Sequence, residues 1–153
     1  MGQSQSMSAE VEIQASPDAV RTVFMDFPQY KEWTKWNIEP AVLGTKSTDL
    51  SAKDKLNVNL GSMKFSPVVV ENSPETFQWN GNLWPIFAGK HEFHWKPSTK
   101  NPGGTTFVQK EVFIGLFAFL MAPGWNGSKS TLVNWEGFNA DLKKEVERIS
   151  TQS

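Results

Sequence analysis

The chain has 153 residues, 39% of them hydrophobic, and a formal net charge of -1. That length suits one domain with a real core, and the scatter of basic residues, with no run of them, excludes a nucleic-acid partner held through phosphate contacts. Cysteine is absent, which excludes disulfides and thiolate chemistry.

Residues 1–8 are rich in Gln and Ser and lack the apolar stretch of a secretory signal, so they read as a disordered tail before a single domain over 9–153. The expected location is cytoplasmic. Met1-Gly2-Gln3-Ser4-Gln5-Ser6 fits the Met-Gly-x-x-x-Ser/Thr pattern of N-myristoylation. One such chain would give only weak membrane contact, and so short a pattern also arises by chance in a bland tail. Residues 9–15 alternate, with Val11, Ile13 and Ala15 opposite Glu10, Glu12 and Gln14, which predicts a half-buried strand. Ser16 and Pro17 then mark a helix start, with Ala19, Val20, Val23 and Phe24 on its buried face. Asp26-Phe27-Pro28 stops it, and residues 28–33 predict a second short helix.

From Asn37 onward the pattern is strand, at about 38–43, 55–64, 67–72, 76–83, 90–96 and 105–113. Asn72-Ser73-Pro74-Glu75 and Asn101-Pro102-Gly103-Gly104 are turns, and Gly61-Ser62 reads as a bulge within a strand. With the first strand this makes seven, joined mostly by short turns and therefore antiparallel. Residues 115–122 are the most apolar run, too short for the roughly 20 residues a bilayer span needs. They fit either a buried crossover or a hydrophobic lid whose Phe117, Phe119 and Met121 would touch a ligand. Residues 128–149 close the chain as a long helix, capped at Ser128 or Ser130. Leu132, Trp135, Phe138, Leu142, Val146 and Ile149 recur at steps of three and four along one side of it.

The chemistry-bearing residues are few. His91 and His94 lie three apart on a strand and point to opposite faces, so they cannot share a metal ion, and no zinc site or other cofactor is expected. A Gly-x-Ser-x-Gly elbow and a complete phosphate loop are both missing. An inward set remains. His91, Phe93 and Trp95 share one face of their strand, and Phe107, Gln109, Glu111 and Phe113 share one face of the next. If the Gly103-Gly104 turn sets Phe93 opposite Gln109, His91 falls opposite Glu111. Such a pair, facing an aromatic interior, is a candidate for proton transfer. It is equally a polar pair that satisfies itself, the commoner fate of buried polar groups.

Seven Trp and eleven Phe against one Tyr are the compositional signal. The stripe Phe77, Trp79, Phe93, Trp95, Phe107 and Phe113 makes either a solid core or the lining of a pocket. A bent sheet closed by one helix encloses more space than one helical face fills, which favours the pocket.

Several local motifs, in this order, carry a resemblance. They are Val11-Glu-Ile-Gln-Ala-Ser-Pro-Asp-Ala-Val20, Asp26-Phe-Pro-Gln-Tyr-Lys-Glu-Trp33, Gly89-Lys-His-Glu-Phe-His-Trp95, Glu111-Val-Phe-Ile-Gly115 and Gly137-Phe-Asn-Ala-Asp-Leu142. Together they resemble the helix-grip superfamily of START-like and birch-pollen-allergen-like proteins (SRPBCC), in its polyketide cyclase and dehydrase branch. The resemblance implies an α+β fold: a seven-stranded antiparallel sheet curved round the C-terminal helix, with two short helices after the first strand and a deep apolar cavity. Carried over by position, the wall would include Trp33, Trp79, His91, Phe93, Trp95, Glu111, Phe113, Phe138 and Asn139. The strand stripe, Phe117 and the helix residues Trp135 and Leu142 complete the candidate ligand contacts. Three functions follow as expectations: carriage or sequestration of a lipid, sterol or polyketide-like molecule; a cyclase or dehydratase using His91 and Glu111 as acid and base; or a docking module presenting residues 116–121.

Overall fold

The computed structural model describes residues 3–61, 63–83, 87–115 and 126–152. Its strands are β1 (Gln3–Ile13), β2 (Asn37–Pro40), β3 (Leu56–Asn59), β4 (Lys64–Phe65), β5 (Val68–Asn72), β6 (Thr76–Leu83), β7 (Phe87–Pro97) and β8 (Thr105–Gly115). Helix α1 covers Pro17–Met25 and α2 covers Asn126–Gln152, with 3-10 turns at Phe27–Glu32 and Ser47–Asp49. The fold is α+β and helix-grip-like, every strand pair antiparallel. The eight described strands form two sheets, ordered β1-β8-β7-β6-β5 and β2-β3-β4. A bridge from Lys55 to Val68, and the Val69 amide donating to the Asp54 carbonyl at 2.7 Å, join one sheet to the other.

The structure departs from the expected seven strands in two places. Residues 55–64 read as one strand, yet their apolar phase shifts between Leu60 and Met63, and the chain reverses there. Gly61 takes a φ of +91°, open to glycine at little cost, and the Leu60 amide donates to the Met63 carbonyl, so β3 and β4 are a hairpin with Val58 opposite Phe65. The bulge falls elsewhere, between Val69 and Glu71. The Gln/Ser-rich segment expected as a loose tail is also strand from Gln3 onward. It pairs along β8, Gln5 with Phe113 and Met7 with Glu111, and Met7 is buried. Composition cannot reveal this, because a distant strand supplies the hydrogen-bond partners. The second short helix is 3-10 rather than α.

Helix α1 forms as read: Ser16 Oγ accepts from the Ala19 amide at 3.2 Å, Pro17 opens the first turn, and Val20, Val23 and Phe24 are buried. The Tyr30 hydroxyl returns to the Phe24 carbonyl at 2.5 Å, and burial pushes its pKa up, keeping it a donor. On α2, Trp135, Phe138, Leu142 and Val146 are buried, Ile149 is exposed, and Ser128 and Ser130 lie inside the helix rather than capping it. Lys143 Nζ donates to the Glu12 carbonyl at 2.8 Å and to Glu147 at 2.6 Å, and Glu147 accepts the Gln14 amide at 2.9 Å. These bonds fasten the free edge of β1 to α2.

On its outer side, Glu12 accepts hydrogen bonds from Ser98, Thr106 and Asn101. The bond from Ser98, then that from Thr106, holds its carboxyl below the usual range. A depressed folded value means stability present above the unfolded value and lost as pH falls through the folded one. The stability difference between wild type and Glu12→Gln should therefore be largest near neutrality and shrink on acidification. Urea unfolding across a pH series checks this, and a difference constant with pH would contradict it.

Candidate functional site

Antiparallel register lays the inward side chains out in rows. One row runs Met7, Glu111, His91, Trp79; the next runs Ala9, Gln109, Phe93, Phe77. The Gly103-Gly104 turn therefore sets Phe93 opposite Gln109 and His91 opposite Glu111, the pairing anticipated from spacing. A third row runs Gln5, Phe113, Gly89, Gly81 and carries two residues without side chains.

His91 is 1% exposed. Its ring stacks on Phe93 at 4.3 Å and lies 4.7 Å from Trp135 and 5.2 Å from Trp79. Its Nδ1 faces Glu111 Oε1 at 3.2 Å and its Nε2 faces Gln109 Oε1 at 2.9 Å. Gln109 in turn donates through Nε2 to Asn139 Oδ1 at 2.7 Å and to the Trp135 carbonyl at 3.4 Å. Those two acceptors turn the amide oxygen of Gln109 toward His91, so His91 Nε2 must carry a proton. On the other side of the ring, Nδ1 and Glu111 Oε1 stand at ion-pair distance. The four side chains thus form one line, Glu111–His91–Gln109–Asn139, from a partly accessible carboxylate into the core. Asn139 Nδ2 is buried without a partner.

Gly89 makes the carboxylate's position available. A Cβ on Gly89 would stand 2.1 Å from Glu111 Oε2. The carboxylate lies against the β7 backbone, and 15% of the Glu111 side chain stays accessible.

The remaining predicted contacts except Phe117 are placed. Phe77, Trp79, Phe93, Trp95, Phe107, Phe113, Trp135, Phe138, Asn139 and Leu142 are buried. At the α1 end they enclose no room. Phe24 inserts from α1 to ring separations of 4.8 Å from Phe93, 5.4 Å from Trp95 and 5.9 Å from Phe107, and Trp36 stacks on Phe138 at 3.9 Å. The supporting helices bring rings of their own, and counting α2 as the only filler overlooked them. Trp33 is half-buried behind Tyr30 and Phe138, on a groove of about 510 Å³ between α1 and the end of α2 rather than beside His91. Phe117 and the apolar segment 116–122 lie outside the described residues.

His94 points outward and bonds Glu92 at 2.9 Å, on the face opposite His91. Among the described residues no three His, Cys, Asp or Glu side chains converge as metal ligands, and no helix is long and apolar enough to cross a membrane.

A curved antiparallel sheet gripping one long C-terminal helix, with polar groups set in an aromatic inner face, defines the START-like, or SRPBCC, class. Within it, the chain belongs to the family described as polyketide cyclase / dehydrase and lipid transport, whose model matches residues 4–151. Among solved structures it is similar to a hypothetical protein from Helicobacter pylori (TM-score 0.71, 14% identity, 93% of this chain and 88% of that one). It is also similar to a START superfamily protein from Mycobacterium smegmatis (TM-score 0.62, 16% identity, 94% and 98%). A third is the Zhui aromatase/cyclase from a Streptomyces species (TM-score 0.61, 14% identity, 95% and 95%). At these identities the likeness is one of fold. No curated protein matches the sequence.

Gln109 and Gly89 are the positions of this cluster that sequence reasoning did not single out. Gln109 stood in the inward set, and a buried amide next to a His–Glu pair was the available signal. Gly89 carried none, since its value depends on what lies across the sheet.

Proposed function

We propose that the chain binds a hydrophobic small molecule, a lipid, sterol or polyketide-like compound, as a carrier or sequestering protein. The ligand sits at the glycine-row end of the inner face, against Trp79, Trp135, Phe113 and the Glu111 carboxylate. One observation carries this reading: the polar line ending at Glu111 is set in a wall otherwise built of rings, the composition of a site that takes an apolar body and orients it by a few polar contacts. The family description, which includes lipid transport, agrees with it. Titration with N-phenyl-1-naphthylamine should give a saturable, one-to-one rise in fluorescence, and native mass spectrometry after exposure to a lipid extract should recover a loaded chain. Absence of saturation together with a bare chain from the extract would end the proposal.

A second reading, a cyclase or dehydratase with His91 and Glu111 as acid and base, rests on the 3.2 Å approach of His91 Nδ1 to Glu111 Oε1. A positioned acid–base group contributes about 10²–10⁴-fold to a rate. On this reading Glu111→Gln abolishes turnover of a poly-β-keto substrate while leaving its binding; turnover unchanged in that variant would leave the carrier reading alone.

A further inference from the structure

We propose that the ligand is selected for a hydrogen-bond donor, a hydroxyl or phenol, received by Glu111 Oε2, and that Gly89 and Gln109 are the positioning residues that keep this oxygen presented. The proposal rests on the binding reading above and adds to it the chemistry of the group recognised.

Gln109 fixes the proton on His91 Nε2, because its own amide hydrogens are committed to Asn139 Oδ1 and the Trp135 carbonyl. His91 is thereby left with Nδ1 toward Glu111 Oε1. Of the two carboxyl oxygens, Oε1 is the one that faces His91. The other, Oε2, lies toward Gly89 and, as a carboxylate oxygen, is an acceptor. Both ring nitrogens of His91 are turned to protein partners, Nδ1 to Glu111 and Nε2 to Gln109, so His91 acts on a ligand through Glu111.

The place of Oε2 depends on a missing atom. A Cβ at Gly89 would fall 2.1 Å from Oε2 and 3.0 Å from the carboxylate carbon. What it would strike is the far end of a flexible side chain, so alanine there displaces the carboxylate from His91 without forcing the strand apart. An aromatic surface with one oriented acceptor favours donor-bearing ligands over matched molecules that only accept, since a second acceptor left against it stays unpaired.

The test compares 2-naphthol with 2-methoxynaphthalene, which share a ring system and differ in the donor, by calorimetric titration of the full chain. Wild type is expected to bind 2-naphthol about 10-fold more tightly, the discrimination of one charge-assisted hydrogen bond. In Gly89→Ala the ratio should fall to near one while 2-methoxynaphthalene binds as before, a change that a merely structural role for Gly89 would not produce. Glu111→Leu, which removes the acceptor and leaves Gly89 in place, should do the same and stands in if Gly89→Ala does not fold. Equal binding of the two probes by wild type, or a ratio preserved in both variants, overturns this proposal and leaves the binding reading intact. Failure of wild type to bind either probe overturns both.

Discussion

Phe24→Ala should cost about 3–5 kcal/mol of unfolding free energy, the range for truncating a fully buried Phe. Phe24 is 0% exposed and reaches from α1 into the sheet, where its ring lies 4.8 Å from Phe93, 5.4 Å from Trp95 and 6.1 Å from both Phe77 and Phe138. Its neighbours come from the 3-10 turn Phe27–Glu32, β6, β7, β8 and α2, so no single element can move in to close the hole. That places the cost toward the upper part of the range, because the penalty grows with the cavity that remains. The same vacancy should make room for a larger apolar ligand. Urea unfolding measures the first effect, and the affinity for N-phenyl-1-naphthylamine the second. A loss under about 1 kcal/mol would mean that the rings around Phe24 repack freely and that this end of the interior is not the rigid plug described.

Gln109→Leu should be nearly as damaging, for the opposite reason. Leucine fills a similar space but leaves the His91 Nε2 proton and Asn139 Oδ1 buried with no partner. Each orphaned group costs about 1–3 kcal/mol, so the expected loss is about 2–6 kcal/mol. The double variant Gln109→Leu with Asn139→Leu should cost less than the two singles added, because the second change removes a group that the first orphaned. It also removes Asn139 Nδ2, which lacks a partner in the wild type. Unfolding curves for the three variants decide this; strict additivity would mean that Gln109 and Asn139 do not work as one line.

Some of the site was legible because it depends on strand periodicity. His91 and Phe93 on one face, Gln109 and Glu111 on the next, and a short Gly-Gly turn between them were enough to place His91 opposite Glu111, as the register has it. Alternation determines the face, and turn length determines which residues meet. The hairpin at Gly61 was not legible, since the phase shift from Leu60 to Met63 fits a bulge as well as a reversal. Nor was the pairing of residues 3–8 with β8, which a Gln/Ser-rich composition gives no reason to expect.

By itself, then, the sequence determined the class of fold, the long helix with its buried Trp135, Phe138, Leu142 and Val146, and the shared faces of His91 with Phe93 and of Gln109 with Glu111. Each follows from repeats of two or 3.6 residues that any stretch of chain carries locally. Only the tertiary structure decided that Phe24 and Trp36 fill the α1 end of the interior, that Gln109 sets the proton on His91, and that Gly89 makes space for the Glu111 carboxylate. Those three outcomes depend on which side chains from distant segments arrive at one point, and close packing allows each point a single occupant.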